Sequence, residues 1–104
     1  MIEINNMQDF DNVTRENPLV LIDFWATWCG PCRMLVVVLE EIAKETSLTI
    51  LKVNIDEAPD ISDKFNIQSV PTLILFKNGQ EISSKCGFLS KSAVLSWINE
   101  NNSR

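Results

Sequence analysis

The stretch LVLIDFWATWCGPC, residues 19–32, determines the fold of this 104-residue chain and contains its only closely spaced pair of cysteines. Residues 19–26 are almost continuously apolar, which is typical of a parallel strand that is covered on both faces. Residues 31–46 follow with helical periodicity, and Pro31 suits a first helical turn, where a missing N–H costs nothing. The pattern therefore predicts a central strand that leads directly into a helix, with Cys29 and Cys32 at the junction.

A thiol at the start of a helix favours its charged form. Unpaired backbone N–H groups and the positive end of the helix dipole both stabilise a thiolate there, so Cys29 is the predicted nucleophile. Cys32 follows three residues later on the same side of the first turn, close enough to form a small disulfide ring with Cys29. Such a pair can hold or give up two electrons.

A Cys-x-x-Cys motif is also half of many zinc sites, so zinc is the alternative to redox chemistry. The only other cysteine is Cys86, and the chain has no histidine. Because a closed structural zinc site needs four ligands, zinc would require a carboxylate or a second chain. We therefore favour redox chemistry and expect no metal site.

The rest of the chain alternates strands with helices and ends in a hairpin and a final helix. Strands are predicted at residues 2–4, 48–55, 72–76 and 80–86, and helices at 7–16, 59–65 and from 91, with caps at Asn6 and Ser90 and a left-handed stop at Asn66. Asn78-Gly79 favours a type I′ turn between two antiparallel strands. The polar tail, 99–104, is expected to fray. Together these elements predict an α/β fold with a mixed five-stranded sheet flanked by four helices in three layers.

The composition argues against nucleic acid and membranes as partners of this chain. The net charge is −5, and nine basic residues are scattered among fourteen acidic ones, which argues against nucleic acid and anionic membranes as partners. No apolar stretch reaches the length of a membrane span, and the N-terminus lacks the pattern of a signal peptide. We expect one domain, residues 1–104, in the reducing cytoplasm, where spaced cysteines are more often catalytic or metal-binding than structural.

Three motifs resemble the thioredoxin family: DFWATWCGPC at 23–32, VPT at 70–72 and FKNG at 76–79. The resemblance extends from about residue 2 to residue 101. It implies the thioredoxin fold and a general protein-disulfide reductase in cell redox homeostasis, a monomer with Cys29 as nucleophile and Cys32 as resolving cysteine. It also implies no bound cofactor and disulfide-containing protein targets. A thioredoxin reductase would restore the dithiol, so NADPH would take part only indirectly.

Asp23 is the one ionisable residue in the apolar strand. Burial there should raise its pKa, and a carboxyl group that is partly neutral near working pH can pass a proton. The resemblance assigns this position the role of acid and base for Cys32. It also makes Lys52, in the next buried strand, the lysine that tunes the carboxylate. Without the resemblance, Asp23 could be an edge carboxylate and Lys52 a solvated strand end.

The resemblance further implies a substrate-binding surface beside the cysteines. Pro71 would follow a cis peptide bond, although base rates favour an ordinary trans proline. The backbone of Val70 would then bind an extended substrate segment by strand addition. Trp28 would be a partly exposed wall of this surface rather than a core aromatic. We define the docking surface by the residues that the resemblance places there: Trp28, Gly30, Pro31, Val70, Pro71, Thr72 and Gly87.

Four positions depart from the family pattern. Cys86 stands where an aliphatic residue usually borders the docking surface, and we expect a small buried side chain, with a regulatory or dimer-forming thiol as the alternative. Val37 replaces the usual helix-kinking proline, which predicts a straighter helix. Ser69 and Asn66 stand where glycines are common, which could slightly alter the substrate loop.

Two other functions remain open at this point. One is an oxidase or isomerase, although Gly30-Pro31 without histidine resembles the reducing members of the family. The other is a binding subunit whose docking surface acts while the cysteines stay idle.

Overall fold

A five-stranded sheet forms the centre of the computed structural model, which describes residues 1–103. The elements in chain order are β1 (Ile2–Glu3), α1 (Met7–Glu16), β2 (Leu19–Trp25), α2 (Gly30–Glu45), β3 (Thr49–Asn54), α3 (Pro59–Lys64), β4 (Thr72–Lys77), β5 (Gln80–Cys86) and α4 (Lys91–Asn102). No helix among the described residues is both long enough and apolar enough to cross a membrane.

The strand order is β1-β3-β2-β4-β5, which places β2 at the centre as its apolar sequence predicted. The strands β1, β3 and β2 run parallel, and β4 pairs antiparallel with both β2 and β5. Residues 20–24 of β2 are all buried. The predicted mixed sheet is therefore confirmed.

Successive residues of β2 face two different cores. Ile22 packs in a cluster with Phe10 of α1 and Ile61 of α3. Leu21 packs on the opposite face with Leu39 of α2 and with residues of α4. The predicted three layers are confirmed. Because side chains alternate along a strand, Asp23 lies on the same face as Leu21, beneath α2.

The helix cap, the helix stop and the hairpin turn predicted from the sequence are also present in the structure. The Asn6 side chain accepts a hydrogen bond of 2.9 Å from the Asp9 amide and caps α1. Asn66 has a φ of 53° and follows the end of α3, as a left-handed stop should. Asn78 and Gly79 have φ values of 53° and 82°, the two positive angles that a type I′ turn requires.

The C-terminal tail is more ordered than the sequence suggested. Helix α4 continues to Asn102, so the prediction that the chain frays from residue 99 is wrong for 99–102. The Asn101 side chain donates a 2.8 Å hydrogen bond to the Trp97 carbonyl, and Lys77 Nζ donates one of 2.9 Å to the Asn102 carbonyl. The second of these contacts holds the last helical turn against the end of β4. Arg104 lies outside the described residues.

Helix α2 is unbroken over its sixteen residues, and Val37 lies on its outer face with 57% of its surface exposed. In an α-helix the Val37 amide is in position to donate to the carbonyl of Arg33. The straighter axis remains a prediction.

Replacing Val37 with proline should destabilise the protein by about 3 kcal/mol, because proline removes that amide donor and its ring meets the preceding turn. The matched control is Val37→Ala, which should change the free energy of unfolding by less than about 0.5 kcal/mol at this exposed position. Urea unfolding of both oxidised variants measures the difference. Equal stability of the two would show that α2 already accommodates a proline at this turn.

Candidate active site

Cys29 and Cys32 form a disulfide at the N-terminus of α2, with their Cα atoms 5.3 Å apart. Cys29 is the N-cap, and its Sγ accepts a 3.2 Å hydrogen bond from the Cys32 amide. Pro31 occupies the first turn as predicted. Both cysteines are nearly buried, at 4% and 3% exposure. When the pair is reduced, the helix terminus therefore faces Cys29 Sγ and stabilises negative charge on it.

The loop before β4 lies directly beside this disulfide. The Val70–Pro71 peptide bond is cis, which confirms the expectation drawn from the resemblance. The Val70 carbonyl oxygen lies 3.6 Å from Cys29 Sγ. On the other side of the loop, the Gly87 amide donates a 2.8 Å hydrogen bond to the Pro71 carbonyl. Within residues 1–103 the Val70 amide has no hydrogen-bond partner, so this backbone edge is open to an extended segment of another chain.

One further hydrogen bond and one backbone angle define the loop. Thr72 is buried, and its Oγ1 donates a 2.7 Å hydrogen bond to the Ser69 carbonyl. Gly87 has a φ of 87°, in the left-handed region, although a Cβ there would meet no atom within 4 Å. Backbone conformation rather than space therefore favours glycine at this position.

Trp28 is 66% exposed, which confirms that it is not a core aromatic. Its Nε1 donates a 3.0 Å hydrogen bond to Asp56 Oδ2 in the turn after β3. Asp56 lies 28 positions from Trp28 and belongs to no motif, so nothing in the sequence pointed to it. The hydrogen bond holds the exposed indole in place, and its role as a wall of the docking surface remains a prediction.

Asp23 is 1% exposed, and neither carboxyl oxygen has a hydrogen-bond partner within the described residues. Burial raises the pKa of Asp23 from 3.8 to about 7, while the charge of Lys52 opposes the rise and the charge of Glu3 adds to it. The carboxyl group therefore ionises near neutral pH, as its place in an apolar strand suggested. It can both give and take a proton in that range.

A small cavity of about 70 Å³ lies between β2 and α2. Its lining residues are Asp23, Trp25, Cys32, Arg33, Val36 and Lys52. The cavity is large enough for water, and the buried Trp25 Nε1 also lacks a partner among residues 1–103. Asp23 and Cys32 thus line the same cavity.

Lys52 lies beside Asp23 in the sheet, as the resemblance implied, since the two residues are register partners on β3 and β2. Its Nζ is 3.7 Å from Glu3 Oε1 and 4.2 Å from the centre of the Trp25 ring. Within the described residues no ion pair joins it to Asp23.

Cys86 is an exposed free thiol, so the expectation of a small buried side chain is wrong. It ends the edge strand β5, where six of seven residues are exposed. Its Sγ lies 3.6 Å from Thr72 Oγ1, which places it next to the substrate loop. A regulatory role for this thiol remains a prediction.

Among residues 1–103, no group of three or more His, Cys, Asp or Glu side chains is arranged to hold a metal ion. The two sulfurs that a zinc site would need are bonded to each other. The geometry thus favours the redox interpretation of the motif over the zinc one.

Known proteins that are similar to this chain agree with the family resemblance of its motifs. The family model described as Thioredoxin matches residues 1–100. A thioredoxin of Rickettsia bellii is 47% identical over 93 residues, which cover 88% of this chain and 89% of the relative. A bifunctional thioredoxin reductase/thioredoxin of Mycobacterium leprae is 45% identical over 96 residues, which cover 90% of this chain and 21% of that protein. A mutant thioredoxin from Halobacterium salinarum superposes with a TM-score of 0.91 at 33% identity, over 96% of this chain and 88% of that one.

Replacing Asp23 with asparagine should stabilise the oxidised protein at high pH. Because the pKa of Asp23 is raised from 3.8 to about 7 on folding, the native state binds more protons in that window, and stability falls as pH rises through it. Asparagine does not ionise, so the variant should gain up to about 4 kcal/mol over the parent above about pH 8 and lose this advantage toward pH 4.

Urea unfolding across this pH range measures the difference. The matched control is Asp63→Asn, which neutralises an exposed carboxylate and should show little pH-dependent gain. A stability gain for Asp23→Asn that stays constant with pH would contradict the assignment.

Proposed function

The chain belongs to the thioredoxin family, and from this premise we propose how each residue of its site takes part in protein-disulfide reduction. The protein is a thiol–disulfide oxidoreductase whose redox-active group is the Cys29–Cys32 disulfide, and it needs no bound cofactor. The observation that carries the proposal is the position of this disulfide, at a helix N-terminus and beside the open backbone edge of Val70.

In the first step, the Cys29 thiolate attacks one sulfur of a target disulfide. A bond forms between Cys29 and that sulfur, and the other target sulfur leaves as a thiolate. Support for Cys29 as the attacking residue comes from its N-cap position and from the Cys32 amide that donates to its sulfur.

In the second step, Cys32 attacks Cys29 Sγ. Its thiol proton passes to the Asp23 carboxylate, the Cys29–Cys32 disulfide forms, and the second target sulfur leaves as a thiolate. Two electrons have then moved from the dithiol to the target. The shared cavity and the raised pKa of Asp23 support this proton route, because a carboxyl group that ionises near neutral pH can accept the proton and release it again.

Target binding is proposed to occur on the docking surface by strand addition to Val70. Its open amide and its carbonyl, beside Cys29 Sγ, can pair with the backbone of an extended segment. Because such pairing reads main chain rather than side chains, many different disulfide-containing proteins can be substrates. Trp28, Gly30 and Pro31 would supply apolar contact around the attacked bond.

We further propose that a separate thioredoxin reductase, which draws on NADPH, restores the dithiol. Support comes from the Mycobacterium leprae relative, whose name joins thioredoxin reductase and thioredoxin in one protein. The proposal also includes a single domain over residues 1–104 that works as a monomer in the cytoplasm. The exposed free thiol of Cys86 is compatible with such a reducing compartment.

The reduction potential of the Cys29/Cys32 pair distinguishes a reductase from an oxidase or isomerase. It is measured in a Cys86→Ser background against a dithiothreitol series, so that only one pair titrates. A value well below about −220 mV is expected for an electron donor to the cytosol. A value near about −180 mV or above would favour the oxidase or isomerase, and failure to cycle would favour a binding subunit.

The Cys32→Ser variant should accumulate a mixed disulfide between Cys29 and a target, because the second step then has no attacking sulfur. The Asp23→Asn variant should still form this intermediate but release it at least roughly 10-fold more slowly near pH 7. Quenched-flow alkylation followed by mass spectrometry measures both. The Cys29→Ser variant is the control that forms no intermediate, and unchanged release by Asp23→Asn would contradict the proton route.

Cys86 is proposed as a regulatory thiol that forms an intermolecular disulfide under oxidising conditions. Its exposure at the end of an edge strand allows access by a second molecule. After oxidation, non-reducing gels should show a dimer for the parent and only monomer for Cys86→Ser. An intact dimer in the Cys86→Ser variant would rule out this role.

A further inference from the structure

We propose that Glu3 is a positioning residue of the active site, whose carboxylate holds the Lys52 ammonium away from Asp23 and so preserves Asp23 as the acid and base for Cys32. The inference rests on the proposed proton route and extends it to the edge of the sheet. It concerns a residue that lies outside every motif of the chain.

The sheet register places the three charged residues in one row. Glu3 of β1 is the partner of Lys52 on β3, and Lys52 is in turn the partner of Asp23 on β2. Because partners in register lie on the same face, all three side chains start on the side of the sheet that α2 covers. A single ammonium group therefore stands between two carboxyl groups, one of them buried and the other exposed.

The contacts of Lys52 show which carboxyl group it pairs with. Its Nζ lies 3.7 Å from Glu3 Oε1, and among residues 1–103 it forms no ion pair with Asp23. The Trp25 ring holds the same ammonium at 4.2 Å from its centre. Both oxygens of Asp23 are left without hydrogen-bond partners in the described residues.

The difference in exposure between Glu3 and Asp23 explains why Lys52 pairs with Glu3. The side chain of Glu3 is 53% exposed and keeps its charge in water, while Asp23 is 1% exposed and charges only at a desolvation cost. Near neutral pH, Lys52 therefore gains more from Glu3 than from Asp23. Glu3 raises the pKa of Asp23 and Lys52 lowers it, as expected if the two carboxyl groups compete for the same ammonium group.

Other charged groups near Lys52 come from α2. Arg33 lines the inner cavity, but its Nη1 donates a 3.0 Å hydrogen bond to the Thr27 carbonyl, outside the row. Glu40 and Lys44 line an outer pocket of about 370 Å³ together with Glu3 and Lys52. Glu40 and Lys44 carry opposite charges and neither pairs with Lys52 within residues 1–103, so Glu3 is the acid that holds the ammonium.

If Glu3 loses its charge, Lys52 is free to pair with Asp23. The carboxylate is then stabilised, gives up its proton at lower pH and becomes a weaker base toward the Cys32 thiol. Removal of the exposed Glu3 charge should thus weaken proton transfer from Cys32 to the buried Asp23, although Glu3 contacts neither residue.

The test is the Glu3→Gln variant, which keeps the size of the side chain. Carbon-13 NMR of the Asp23 carboxyl group in the oxidised protein gives its titration midpoint, which should fall by about 0.3 to 0.7 pH units, the scale of an exposed ion pair. The matched control is Glu40→Gln, which changes net charge equally in the same outer pocket and should shift the midpoint much less. An unchanged midpoint, or equal shifts in both variants, would overturn the proposal.

A Lys52→Met background separates the effect of the Glu3–Lys52 ion pair from direct repulsion between Glu3 and Asp23. There the effect of Glu3→Gln should largely vanish, because Glu3 acts through the ammonium; a shift of full size would overturn the proposal. The pH profile of mixed-disulfide release should move in Glu3→Gln by the same amount as the Asp23 midpoint. If the midpoint moves and the profile does not, the proposed proton route fails while the coupling of Glu3 to Asp23 stands.

Discussion

The active site depends on the short connection between β2 and α2. Only residues 26–29 separate the central strand from the helix, so the positive end of the helix must lie at the edge of the sheet where β2 ends. Cys29 caps that helix and Cys32 is in its first turn, which fixes both sulfurs against the core. The same helix covers Asp23 on the strand before it. Electrostatic stabilisation of a thiolate and burial of an acid thus follow from a single structural unit.

The second half of the site comes from a distant part of the chain. Antiparallel pairing of β4 with β2 places the start of β4 beside the end of β2, and Thr72 is the partner of Phe24. The cis peptide bond before Pro71 therefore lies next to the disulfide, although about forty residues separate them. Pairing with β5 uses one edge of this loop and leaves the Val70 edge open. Sheet topology, rather than a local motif, therefore brings this loop to the disulfide.

Function at this site has a cost in stability. A buried carboxyl group without hydrogen-bond partners is unfavourable once it ionises, and a core of apolar residues would be more stable in its place. The chain retains Asp23 beneath α2, and Lys52, its partner in the sheet, pairs with Glu3 at the exposed edge. A group that can give and take protons near neutral pH results from this arrangement, whereas a tight ion pair at Asp23 would hold it as a charged carboxylate.

By itself, the sequence determined the helices and strands, the central position of β2, the Asn78-Gly79 hairpin and the redox character of the cysteine pair. These features follow from periodicity, turn chemistry and residue spacing, all of which act over a few neighbouring positions. The cis bond at Pro71 required the family resemblance, since no local rule favours it. Only the tertiary structure decided the Trp28–Asp56 hydrogen bond, the Glu3–Lys52–Asp23 row, the exposure of Cys86 and the ordered end of α4. Each of these depends on strand order or on which element covers which face, and such long-range pairings leave no periodic signal in the chain.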